Sequence, residues 1–191
     1  MIPPEVLFGA AAPLPSPDDP AGFLLACHRR IEQRLAMMER AAASLESAPE
    51  QALAAFESAF AFLSTSGALH TEDEEASIFP RLRRHMEHGE LVILASLEHD
   101  HAEAHRLGER LRRAVDEFRA GAAAAGEARR LAEEFAAHYR RHIAGEDETL
   151  IDLVRNRLTE EERRQAAGEM RARRRPQEHT RSAGPAPESR P

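Results

Sequence analysis

Two segments place a histidine and a glutamate four residues apart: His70 with Glu74, and His142 with Glu146. On a helix such a pair lies on one face with Cβ atoms roughly 5–6 Å apart, so both side chains can reach one point or two adjacent points. Further imidazoles stand at His28 and at His101 with His105, the last two again four apart. Each lies on an apolar stripe at helical spacing. His28 follows Leu24 and precedes Ile31, Leu35 and Met38, and His101 lies among Leu97, Ala104 and Leu111. His70 continues the line of Phe56, Phe60 and Leu63, and His142 that of Leu131 and Phe135. Five imidazoles and two carboxylates are thereby aimed at one interior, and their shared chemistry is cation binding. Unpaired buried carboxylates cost several kcal/mol, which a bound cation offsets. Imidazole-rich sets with some carboxylate suit iron, zinc, copper or nickel rather than calcium or magnesium.

The other ionisable residues near these stripes are read more plainly. His85, His88 and His179 lie off the stripes or near the C-terminus and are expected to face solvent. His99, one position off the stripe of His101, belongs at the surface or behind the ligands. His138 precedes His142 by one turn and is expected to support a ligand rather than to be one. A Glu-x-x-His tetrad, which ferritin-like di-iron bundles use on two helices, occurs once, at Glu98 to His101. No His-Glu-x-x-His, Gly-rich phosphate loop or Gly-x-Ser-x-Gly elbow is present. Cys27 adjoins His28, but neighbours on a helix point about a quarter-turn apart, so a small buried side chain is expected rather than a nucleophile.

Long helices must position these residues. Prolines are segregated, six in the first 20 residues and four in the last 16, with only Pro49 and Pro80 between. The proline-poor centre is rich in Ala, Leu, Glu and Arg, which lose little freedom in a helix. The pattern predicts a first helix from about Asp18–Ala21 to Leu45. A second begins at the Ser47-Ala-Pro-Glu50 capping box and bends or ends near Phe79, ahead of Pro80. A third follows Gly89, and a fourth follows the turn bracketed by Gly121 and Gly126. The first and third helices overlay at an offset of 73, placing His28 on His101. The second and fourth overlay at 72, placing His70, Glu74 and Glu75 on His142, Glu146 and Asp147. Two equivalent hairpins with short turns predict an all-α, antiparallel up-down four-helix bundle. The expected division is a flexible Pro-rich lead over 1–19, the bundle over 20–158, an accessory helix over 159–175 opened by Thr159-Glu-Glu-Glu162, and a disordered tail over 176–191. Arg171, Arg173, Arg174 and Arg175 read as a solvated helix end, with a patch for an acidic partner as the alternative.

Composition narrows the class. The 191 residues are 31% charged and 42% hydrophobic, enough for one core, and no membrane association is expected. A net charge of −7 argues against a nucleic-acid partner for the whole chain. A single cysteine excludes an internal disulfide framework or a cysteine zinc cage, and a cytoplasmic location is the expectation. All 26 basic residues are Arg, for which the sequence offers no functional reason.

The stretch His70-Thr-Glu-Asp-Glu-Glu-Ala-Ser-Ile-Phe-Pro80 resembles the signature of the hemerythrin-like (HHE cation-binding) family, and His142-Ile-Ala-Gly-Glu-Asp-Glu-Thr-Leu-Ile resembles its second copy. With His28 and His101, the resemblance covers roughly Ala21 to Arg157. It implies a hemerythrin-like bundle around a non-haem di-iron centre of two Fe ions with an oxo or hydroxo bridge. Carried over by motif, His101, His105 and His142 would hold one iron, His28 and His70 the other, and Glu74 and Glu146 would bridge them. The oxygen carriers of the family would instead put Asp147 in the place of Glu146, while the internal repeat favours Glu146. The roles implied are binding of dioxygen or sensing of oxygen or redox state, without catalysis. A redox enzyme or iron-handling protein (peroxide or nitric oxide reduction, iron–sulfur cluster repair) and a metal-stabilised regulatory bundle are the alternatives.

Overall fold

The computed structural model describes residues 18–175. The expected Pro-rich lead, apart from its last two residues, and the expected tail lie outside the described residues. Five helices make up the described chain: α1 (Pro20–Ser44), α2 (Pro49–Leu82), α3 (Leu91–Arg119), α4 (residues 125–157) and α5 (Glu160–Arg173). Asp19 caps α1 by accepting the Gly22 N–H at 3.0 Å. The capping box expected at Ser47 does not form. Ala48 is the residue before the helix, and the Ser47 hydroxyl donates to the Ser44 carbonyl at 3.4 Å. Pro49 suffices to start α2, because its missing N–H falls in the first turn, where no partner exists. The box at Thr159 does form, with the Glu162 N–H on the Thr159 hydroxyl at 3.2 Å and the Thr159 N–H on the Glu162 carboxylate at 3.0 Å. Gly121 takes a φ of 71°, a left-handed conformation that glycine adopts without strain, and turns the chain from α3 into α4.

Helix α1 packs against α2 and α4, and α3 packs against α4 and, least closely, against α2. This closes an up-down four-helix bundle, with α5 laid outside against α1 and the C-terminal half of α2. The core is in two parts. One gathers Leu35, Phe56, Phe60, Leu111 and Phe135, and the other Leu24, Phe79, Leu94, Leu150 and Met170. Between them the buried residues are polar: His28, His70, Glu74, His142 and Glu146, with the His101 side chain 6% exposed. The division follows from the sequence, because each helix carries its ionisable residues between two apolar stretches of one stripe.

Helix α2 does not stop at Phe79. It passes through π-helical turns at Leu63–Gly67 and Asp73–Ile78 and continues to Leu82, with Pro80 in the first turn of the α-helical segment that follows. The Phe79 N–H bonds to the Glu74 carbonyl five residues back, so the wide turn is absorbed before the proline is reached. Helix α4 repeats this, with a π turn at Glu146–Leu150 and the Ile151 N–H on the Glu146 carbonyl. By length and hydropathy α2 is also long and apolar enough to cross a membrane, which the sequence reading did not anticipate. Here its Phe56 and Phe60 are buried in the bundle core.

The basic end of α5 is engaged within the fold. Arg173 reaches Asp73 at 2.8 Å and donates to the Ser77 hydroxyl at 2.8 Å, and Arg174 reaches the other Asp73 oxygen at 2.7 Å. Asp73 is fully buried, and burial raises its pKa despite Arg174 and Arg173. Removing both arginines strands a buried carboxylate, a change that costs several kcal/mol. Arg173→Ala with Arg174→Ala is expected to lower unfolding stability by roughly 3 kcal/mol in urea denaturation, and Asp73→Asn is expected to recover part of that loss. An unchanged denaturation midpoint in the double variant would show that α5 is not held by this contact.

Candidate metal centre

Four helices each turn donors into the polar layer: His28 from α1, His70 and Glu74 from α2, His101 from α3, and His142 and Glu146 from α4. Glu74 and Glu146 are fully buried. The Glu74 Oε1 lies 3.6 Å from His70 Nε2 and 4.0 Å from His28 Nε2, while its Oε2 lies 3.2 Å from His101 Nε2. The Glu146 Oε2 lies 3.3 Å from His28 Nε2, and its Oε1 lies 3.2 Å from His142 Nε2 and 3.8 Å from His101 Nε2. Each carboxylate therefore turns one oxygen to the His28–His70 pair and the other to the His101–His142 pair. Two overlapping donor groups result, His28, His70, Glu74 and Glu146, and Glu74, His101, His142 and Glu146, each spanning no more than 4.8 Å. Nitrogen donors about 2.1 Å from one ion, at right angles to each other, stand about 3 Å apart, which is the scale of the shorter separations here.

The layer fits a pair of cations for a further reason. The Nε2 atoms of all four histidines and both oxygens of both glutamates are buried without a hydrogen-bond partner. Buried polar atoms are ordinarily paired, and a set of eight facing one another is the arrangement a metal completes. The protonation balance reflects the same crowding. Glu74 is pushed up to about 8, by burial first and by the Glu146 charge second. Glu146 is held well below the usual range, because the imidazoles of His101, His142 and His28 outweigh its burial. Against burial, the carboxylates of Glu146, Glu74 and Glu75 raise His101 to about 10, and those of Glu146, Glu74 and Asp147 raise His28. His70, fully enclosed and beside His28, falls to about 3.

The other nitrogens of two imidazoles are held from behind. His28 Nδ1 pairs with Asp147 at 2.6 Å, and His101 Nδ1 with Glu75 at 2.8 Å. The two contacts are equivalent in the internal repeat, and each crosses from one hairpin to the other. Asp147 and Glu75 are 44% and 43% exposed, so they serve from the surface rather than from the layer. Phe79 stacks on the His101 ring at 6.2 Å with the planes 5° apart, which gives the Ile-Phe-Pro stretch a packing role. Sequence reasoning aligned Glu75 with Asp147 in the repeat and favoured Glu146 over Asp147 as the donor, but gave Glu75 and Asp147 no task of their own. It missed Phe79 and Tyr139 as neighbours of the site.

His105 is not brought to the layer. It lies one turn beyond His101 on regular α-helix, displaced by about 40° and about 6 Å, and it is exposed. The donor atoms that lie close together here are those of two histidines on each side, without His105. His138 bonds to the Asp100 carbonyl at 3.0 Å, next to His101, and takes no place among the donors. Glu98 pairs with Arg83 on the surface, so the glutamate of the single Glu-x-x-His tetrad takes no place among the donors. His99 and His88 are exposed, and His85 pairs with Glu162 of α5 at 2.9 Å.

Residues 19–154 match the model of the hemerythrin HHE cation binding domain. The chain belongs to that family. No curated protein gives a significant match. Family membership implies cation binding, typically of iron, and the histidine and glutamate groups of this hemerythrin-like domain are compatible with it.

Glu146→Ala is expected to remove at least one metal per chain, measured by elemental analysis, whereas His105→Ala is expected to retain the full complement. Loss of metal on His105→Ala with retention on Glu146→Ala would reverse the assignment. Asp147→Ala is expected to keep the stoichiometry at saturating metal while weakening affinity about 10- to 100-fold, as removing an outer partner of a ligating histidine does.

Proposed function

We propose that this hemerythrin-like protein holds two iron ions and binds dioxygen or senses its level. The observation that carries the reading is the division of each buried carboxylate between two imidazole pairs. One oxygen of Glu74 and one of Glu146 face His28 and His70, and the other two face His101 and His142. Two imidazole nitrogens and two carboxylate oxygens on each side would hold an ion without filling its coordination shell, leaving room for a small ligand. Iron bound there supplies the electrons on which dioxygen binding draws.

The chain's own contribution is orientation and exclusion of water. Asp147 and Glu75 fix the ring planes of His28 and His101 and raise the basicity of their inner nitrogens. The apolar layers on either side of the site keep solvent from it. Over the whole layer four imidazoles stand against two carboxylates, a balance that favours binding or sensing over the high-valent chemistry of carboxylate-rich di-iron oxygenases. Such a domain answers the level of its ligand without consuming a substrate.

Anaerobic purification, metal quantification and optical spectra before and after air test the reading. Two irons per chain and an oxygen-dependent band that reverses on removal of oxygen are expected. Rapid turnover of peroxide or nitric oxide with no such reversible band would instead make the protein a redox enzyme. Because the donor atoms lack other partners, chelation is expected to lower the melting temperature by several degrees. An unchanged melting temperature after confirmed metal removal would show that metal binding and folding are not linked.

A further inference from the structure

The seam between α2 and α3 is the loosest in the bundle, and it opens into a cavity of about 440 Å³ that reaches His101. Two features of the chain make it. Small residues stand where the helices would otherwise meet, Gly67 and Ala68 on α2 and Ala104 and Gly108 on α3. The π turn at Leu63–Gly67 lies along the same stretch of α2 and widens it. A Cβ at Gly108 would stand 3.4 Å from the Phe135 ring, in ordinary contact, so the position bears a side chain at the cavity wall.

The volume far exceeds what a diatomic molecule needs, and it falls in the ordinary range for small-molecule sites, roughly 300–1,000 Å³. The walls carry apolar side chains, with Phe60, Leu63 and Phe135 among them. Polar side chains share the lining, Ser64 and Thr71 on α2, His101 and His105 on α3, and Tyr139 on α4. Tyr139 is 8% exposed, lines the cavity and lies with its ring 6.0 Å from that of His142. Its hydroxyl makes no hydrogen bond among the described residues and is not sealed from the cavity. A phenol keeps its proton at neutral pH, so the group can donate to an acceptor that enters the cavity.

We propose that this cavity is a binding site for an uncharged organic molecule of at least aromatic-ring size, with a hydrogen-bond acceptor at the end that meets Tyr139. The apolar body of the ligand lies between Phe60, Leu63 and Phe135, and its polar end stops beside the metal centre. The charged residues Glu109 and Arg112 stay at the rim, where the Arg112 guanidinium already sits 4.3 Å over the Phe60 ring. The cavity touches the donor layer at His101 alone, the other five donors lying outside its lining.

Calorimetry on the full-length, metal-loaded protein tests this with two probes of nearly equal shape, acetophenone, which carries a carbonyl acceptor, and α-methylstyrene, which does not. Both are expected to bind at one site per chain, with acetophenone about fivefold tighter, the worth of one added hydrogen bond. Tyr139→Phe should bring the two affinities together and leave that of α-methylstyrene unchanged. Gly108→Leu and Ala68→Leu, which fill the cavity from opposite walls, should each weaken both probes at least tenfold, with metal content and far-UV circular dichroism as controls of folding. Absence of saturable binding in the wild type overturns the proposal, as does binding that survives both filling variants. A preference for acetophenone that persists in Tyr139→Phe also overturns it, since the acceptor would then be meeting the metal or solvent rather than the phenol.

Discussion

The bundle is organised around one electrostatic constraint, a buried layer of ionisable side chains whose inward atoms have no hydrogen-bond partner among the described residues. Glu74 and Glu146 are fully enclosed, with four imidazoles directed at them, and the desolvation of such a set is too large for a marginally stable fold to carry uncompensated. Protons partly compensate, which is why Glu74 is pushed up to about 8 and His101 to about 10. Cations do so more fully, since each can engage several of the orphaned donors at once. The two apolar cores on either side exist as separate bodies because this layer interrupts all four bundle helices at the same level.

Holding six donors at that level requires departures from regular helix. Each helix that supplies a carboxylate also has a π turn there, with the amide five residues on bonded to the carbonyl of the same glutamate, in both halves of the repeat. The extra residue in each turn lets a glutamate and its following neighbour take different tasks. Glu74 and Glu146 enter the layer, while Glu75 and Asp147 remain at the surface and steady an imidazole of the opposite hairpin. The cross-over binds the two hairpins through the site itself, so the geometry of each half depends on the other.

The surroundings of α2 show how one helix serves three purposes. Toward the core it carries donors; toward α5 it presents Asp73, one residue before Glu74, to Arg173 and Arg174; toward α3 it leaves the cavity that Tyr139 overlooks. The clamp on Asp73 holds the π turn from outside while the ligands hold it from inside. An element that read as an appendage is thereby in contact with the segment that carries a donor.

Much of this was legible in the residues alone. Helical spacing of His28, His70, Glu74, His101, His142 and Glu146 on apolar stripes follows from a period that sequence displays directly, and the near-equal offsets of 73 and 72 tie the four helices into two hairpins. Three matters were decided only by tertiary structure. Whether His105 or only His101 reaches the layer depends on the level at which α3 meets α2 and α4, which spacing along one helix cannot express. Whether Ser47 caps α2, and whether Pro80 ends it, depends on local backbone geometry, and here a π turn absorbed what a regular helix could not. The partners of Arg173 and Arg174 lie about 100 residues away in sequence, a pairing created when α5 folds back on the bundle. Periodicity specifies which face of a helix is buried, but what that face meets is set by how the helices are brought together.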